Sequence, residues 1–179
     1  MEFETDVRGR EREIVALFED TFTASEGAEE GALIGAFVQR LLRETPARDM
    51  HVFMGVEAGK MIAAAIFTRL TYPQDPRVVF LLSPMAVAPD RQGAGHGQAL
   101  LAHALSALKA AGVDAAITYG DPVFYGKLGF RPLAETDAAA PLPLSQPIGW
   151  IGQSLTETPL APLKGPSHCV AALNDPALW

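Results

Sequence analysis

The sequence predicts an α/β (α+β) protein built on one mixed sheet flanked by helices. Three observations predict it: two successive stretches with helical spacing, a hairpin-patterned pair of strands, and a long apolar strand that leads through a glycine-rich turn into a helix and a further buried strand. The last arrangement makes a parallel pair by a right-handed crossover.

The first helix is marked by Ile14, Leu17, Phe18 and Phe22, which recur every three or four residues with charged residues between them. Residues 23–31 form a polar break with helix-start chemistry. A second helix carries Leu33, Ile34, Phe37, Val38, Leu41 and Leu42 on one stripe and stops before Pro46. From Met50 the period changes: residues 51–56 read as a strand, 57–60 as a turn and 61–70 as the antiparallel partner. After a turn at 72–76, residues 78–87 make a nearly all-apolar strand, the pattern of a strand covered on both faces. Pro84 cannot donate to a ladder, so the sheet is expected to bulge or splay there.

A third helix shows Leu100, Leu101, Ala104, Leu105 and Leu108 and ends at Ala111-Gly112. Residues 113–119 form a short buried strand, 121–128 a short helix, and 129–132 open the next strand. The chain from Leu133 is Ala/Pro-rich, with one strand candidate at 148–154. It is expected to be irregular chain packed on the same domain, so that residues 1–179 form a single domain with a C-terminal extension over 133–179.

Composition narrows the class. A chain of 179 residues buries roughly 70% of its unfolded surface, and with 49% hydrophobic and 20% charged residues it has the make-up of a soluble globular protein rather than a disordered or fibrous one. No apolar run approaches the ~18 residues of a membrane span, and the acidic start lacks the order of a signal peptide. The one cysteine, Cys169, allows no internal disulfide, and no Cys/His cluster has zinc spacing, so neither a membrane nor a metal is expected and the cytoplasm is the expected compartment. The net charge of −7 argues against broad nucleic-acid binding and mildly favours a cationic partner.

The most informative stretch is the turn after the central strand, where Gly93, Gly95 and Gly97 alternate ahead of a helix. Bare main-chain N–H groups at a helix N-terminus make an anion cradle. The turn lacks the Gly-Lys-Ser/Thr of a P-loop. It also lacks the G-x-G-x-x-G of a dinucleotide site: the order is G-x-G-x-G, and residues 88–92 separate it from the strand. Asp121 stands where a ribose-binding acid could fall, which keeps a nicotinamide oxidoreductase as a rival reading. A connector that holds no ligand is the other.

Gln92-x-x-Gly95-x-Gly97, after a strand ending Met85-Ala86-Val87-Ala88-Pro89, resembles the acetyl-CoA signature of the GNAT superfamily of N-acetyltransferases, Gln/Arg-x-x-Gly-x-Gly/Ala. Gly120-Asp121-Pro122-Val123-Phe124-Tyr125-Gly126-Lys127-Leu128-Gly129-Phe130 is similar to that superfamily's tyrosine helix and Gly-Phe strand. The resemblance covers about residues 10–132. It departs at Asp121, where many members place Asn, and at His96, where members often carry an apolar residue.

The resemblance implies a mostly antiparallel sheet splayed at its central parallel pair. It also implies acetyl-CoA as cosubstrate, with no metal. Amides of Gln92, Gly93, Ala94, Gly95, His96 and Gly97 would hold the pyrophosphate, Arg91 would pair with a phosphate or stay solvated, and the pantetheine arm would lie beside Met85, Ala86 and Val87. Tyr125 would protonate the departing thiolate.

Glu26, Glu29 and Glu30, in the expected loop between the first two helices, are either contacts for a cationic amine or simply a helix-start cluster. Ser83 is a substrate contact or a buried serine satisfied by backbone. His51, His103 and His168 have no metal-site partners, Trp150 and Trp179 are expected to pack, and Cys169 is expected to be inert. The activity expected is direct acetyl transfer to a primary amine of a small molecule or peptide by a monomer or homodimer. A non-catalytic acyl-CoA sensor is the alternative.

Overall fold

The computed structural model describes residues 1–179 and contains seven strands and four α-helices: β1 (Glu2–Glu4), α1 (Glu11–Glu26), α2 (Ala28–Glu44), β2 (Met50–Glu57), β3 (Lys60–Arg69), β4 (Val79–Val87), α3 (His96–Ala110), β5 (Ala115–Tyr119), α4 (Pro122–Gly126), β6 (Arg131–Pro132) and β7 (Trp150–Ser154). The sheet order is β1-β2-β3-β4-β5-β7-β6. The pairs β1–β2, β5–β7 and β6–β7 are antiparallel, and β4–β5 is parallel. This is the mixed, mostly antiparallel sheet that was expected. The parallel ladder runs from Val79↔Ala115 to Leu82↔Thr118 and ends there, one residue ahead of Ser83-Pro84, although β4 continues to Val87. By internal contacts the chain divides into two units, residues 1–66 with 84–104 and residues 67–83 with 105–179.

In the first unit, α1 and α2 meet at a corner made by Gly27 alone, at φ +102°. The polar stretch 23–31 is therefore not a loop. Thr, Ala, Ser and Glu extend α1 to Glu26, and one left-handed glycine suffices to turn the chain. The expected stripe on α2 is also corrected. Leu33 is 60% exposed, and the buried face runs through Gly31, Gly35, Phe37, Val38 and Leu41. A Cβ at Gly31 would stand 1.9 Å from Thr23 Oγ1, so the helices approach too closely there for a leucine.

Strand β1 escaped the sequence reading because Glu2-Phe3-Glu4 offers only one apolar residue. It holds through Phe3, whose ring stacks on His103 with centroids 4.1 Å apart. It also holds through Arg10, which bonds Glu4, Glu13 and Gly59 O while Glu13 accepts from Met61 N.

In the second unit, the strand candidate at 148–154 forms β7. It lies between β5 and β6 and pairs with β5 along its whole length, from Ala115↔Ser154 to Tyr119↔Trp150. It starts at Trp150 rather than 148, because residues 147–149 make a turn of 3₁₀ helix with Ile148 74% exposed. Trp150 is fully buried and donates to Ala138 O at 2.8 Å; Trp179 donates to Leu173 O and stacks on Tyr119. Both tryptophans pack, as expected. Beyond β7 the chain is fastened by Asp75 and Arg77, whose guanidinium reaches Ala161 O and Pro162 O while Asp75 accepts from Lys164 N. No helix is long and apolar enough to cross a membrane.

Candidate active site

The end of β4 passes through a short 3₁₀ turn, Pro89–Arg91, into the glycine turn and α3. Gly93 and Gly95 sit at φ +78° and +83°, which only glycine adopts without strain, and a Cβ built on either meets no atom within 4 Å. Space above the turn is open. Arg91 N donates to Ala88 O and Ala99 N donates to Gly95 O, one bond on either side of the turn. The turn runs straight into the N-terminus of a 15-residue helix, whose first N–H groups have no partner within the helix. Such an arrangement suits a diphosphate.

Side chains around the turn brace it. Gln92 Nε2 donates to Val87 O at 3.0 Å, tying the turn to β4. The same carbonyl accepts from Thr21 Oγ1 at 3.4 Å, and Ala88 N donates to Ile62 O. Thr21, buried on the inward face of α1, was missed in the sequence, where its only signal is a hydroxyl standing in the apolar period of Ile14, Leu17 and Phe18. Arg91 faces Glu57 at 3.4 Å and Asp90 at 3.7 Å. His96 opens α3, half-buried; Gly97 is buried behind it, and Ala94 is exposed. Met85 and Val87 are half-buried, with Ala86 buried between them.

Glu26 is the last residue of α1, and Glu29 and Glu30 lie in the first turn of α2 rather than in a loop. The placement of Glu29 and Glu30 at a helix start is stabilising in itself. Ser83 is half-buried on β4. His103 packs on Phe3 and Phe53, and burial pushes the His51 imidazole down. Burial pushes the Cys169 thiol up, away from reactivity. No three His, Cys, Asp or Glu side chains gather in a metal-binding arrangement.

In the second unit, Asp121 caps α4 by accepting from Val123 N at 2.8 Å, and Pro122 starts the helix. This one-turn helix carries Tyr125. Its ring lies edge-on to Phe124 at 5.0 Å and to Phe130 at 5.6 Å. Burial raises the Tyr125 phenol above its ordinary value and the Asp121 carboxylate adds to this, while the Thr118 hydroxyl works the other way. Thr118 itself is buried and donates to Leu82 O at 3.0 Å, the last rung of the parallel ladder. The phenol is therefore a neutral acid across the physiological range.

These features define an acyl-CoA-type acyltransferase fold, and comparison with known proteins places it. Residues 48–132 match the acetyltransferase (GNAT) domain family. An uncharacterized N-acetyltransferase of Escherichia coli K12, YjhQ, is 31% identical over 137 residues, 74% of this chain and 75% of the relative. The GNAT family N-acetyltransferase YhbS from Escherichia coli, solved in complex with CoA, superposes with a TM-score of 0.80 at 20% identity, over 97% of this chain and 92% of that one. A GNAT family acetyltransferase from Brucella melitensis, solved with acetyl-CoA, gives 0.70 at 19% identity, over 97% of each chain. This chain belongs to the GNAT superfamily of N-acetyltransferases, enzymes that draw their acetyl group from acetyl-CoA.

Proposed function

We propose that this enzyme transfers an acetyl group from acetyl-CoA directly to a primary amine of a small molecule or peptide. The glycine turn at the N-terminus of α3, with Gly93 and Gly95 left-handed and open space above them, carries the reading. In it, the amides of Gln92, Gly93, Ala94, Gly95, His96 and Gly97 hold the pyrophosphate, and Met85, Ala86 and Val87 flank the pantetheine arm. Arg91 reaches a phosphate only by leaving Glu57 and Asp90, partly exposed pairs that are cheap to break.

Chemically, the amine nitrogen attacks the thioester carbonyl, the carbon–sulfur bond breaks, and Tyr125 supplies hydrogen to the departing sulfur. The proton lost by the amine leaves through water, which returns one to the Tyr125 phenolate, and Glu26, Glu29 and Glu30 supply negative charge that draws a cationic acceptor. Ser83 is assigned to the acceptor side. No covalent enzyme intermediate is formed. The lone Cys169 suits a reducing cytoplasm.

Gly95→Ala tests the cradle. A Cβ at φ +83° strains the turn by about 1–2 kcal/mol and fills the open space above it. CoA affinity measured by calorimetry is expected to fall at least tenfold, while the weaker inhibition by pantetheine, which has no pyrophosphate, stays unchanged. Equal losses for both ligands would place the pyrophosphate elsewhere.

A further inference from the structure

We propose that Gly120 is a positioning residue for this reaction, its missing side chain being the seat on which the Tyr125 ring rests. The inference rests on the reading of Tyr125 as the hydrogen donor. A Cβ at Gly120 would stand 2.7 Å from Tyr125 Cε2 and 3.4 Å from Cδ2, and the first of these separations is shorter than side-chain carbons tolerate. Gly120 is not among the left-handed glycines, so backbone conformation does not demand glycine there. The ring does.

Neither partner can yield easily. Gly120 N donates to Gly149 O at 2.9 Å, and a Cβ at Gly149 would already come within 3.1 Å of Gly120 O and 3.2 Å of the Tyr119 ring. The next residue, Asp121, is committed to capping α4. On the other side, the Tyr125 ring is flanked by Phe124 and by Phe130, which is 2% exposed, and Tyr125 O accepts from Leu128 N. An added methyl group therefore displaces the phenol rather than the chain beneath it. A displacement on the order of 1 Å costs a reacting group roughly 10²-fold in rate.

The experiment compares Gly120→Ala, Tyr125→Phe, the double variant and Gly126→Ala. Gly126 lies on the same short helix, where a Cβ meets nothing within 4 Å. Expected for Gly120→Ala is a kcat lowered roughly 10²-fold with KM for acetyl-CoA little changed, no further loss in the double variant, and full activity in Gly126→Ala. Spectrophotometric titration gives a readout that needs no turnover: the Tyr125 phenol in Gly120→Ala titrates closer to the ordinary ~10 than in the parent. If Tyr125→Phe is crippled while Gly120→Ala keeps both its kcat and the parent titration, the positioning role is overturned and the acid role stands. If Tyr125→Phe retains full kcat, the acid role falls and with it this inference. Should the alanine at 120 not fold, the milder Gly149→Ala decides: a smaller loss of kcat in the same direction supports the seat, and none overturns it.

Discussion

Tyr125→Phe is expected to lower kcat by roughly 10²–10⁴-fold while leaving KM for acetyl-CoA little changed. The phenylalanine keeps the ring and its contacts with Phe124 and Phe130, so only the hydroxyl is lost. That hydroxyl is needed when negative charge collects on sulfur, not when the thioester binds, which is why the loss falls on kcat. An ordinary thiol titrates near ~8.5, below a phenol. The hydrogen bond therefore does its stabilising as the carbon–sulfur bond stretches, and transfer completes as free thiol forms. The pH profile gives a second check. Because burial raises the phenol, its acid form is retained at neutral pH, and activity that depends on it is lost only as pH rises through a value above the ordinary one. The phenylalanine variant lacks that basic limb. An unchanged kcat would remove Tyr125 from the chemistry.

Asp75→Ala is expected to destabilise the fold by about 3 kcal/mol, or roughly 6–12 °C in Tm. Its side chain is 1% exposed and accepts from Arg77 N at 3.0 Å, Arg77 Nε at 2.9 Å, Arg77 Nη2 at 2.7 Å and Lys164 N at 3.0 Å. Removing it strands the guanidinium that anchors residues 161 and 162 and leaves the Arg77 and Lys164 amides without that acceptor. The Arg77 guanidinium is the first cause of a carboxyl held well below the usual carboxylate range. With the folded value depressed, this stabilisation is complete above the unfolded value of ~3.9 and is lost as pH falls below it. The Tm gap between parent and variant should therefore be full at neutral pH and shrink under acid. A gap absent at pH 7 would show that the cluster contributes nothing.

The sequence carried the fold class, but not every element that builds it. The turn ahead of α3 was legible in its alternating glycines, and Gly93 and Gly95 take left-handed angles there. The two-sided burial of the first half of β4 was legible in its unbroken apolar run. What was hidden depended on partners far away in the chain. β1 has one apolar residue and is held by the stacking of Phe3 on His103; β7 was legible as a strand, but its place between β5 and β6 was not. Leu33 carried the period of a core residue, yet the close approach of α1 hands that place to Gly31 and Gly35. The role of Gly120 could not be read from spacing either, since a seat exists only once the ring is on it.

The central claim is that backbone amides of residues 92–98 grip the diphosphate of the cosubstrate. Amide resonances of uniformly ¹⁵N-labelled enzyme, followed during titration with CoA and separately with pantetheine, test it most directly. The account predicts that residues 92–98 shift strongly downfield with CoA and saturate together, and that pantetheine moves them little. Resonances of 92–98 that stay in place while CoA saturates shifts elsewhere would contradict it.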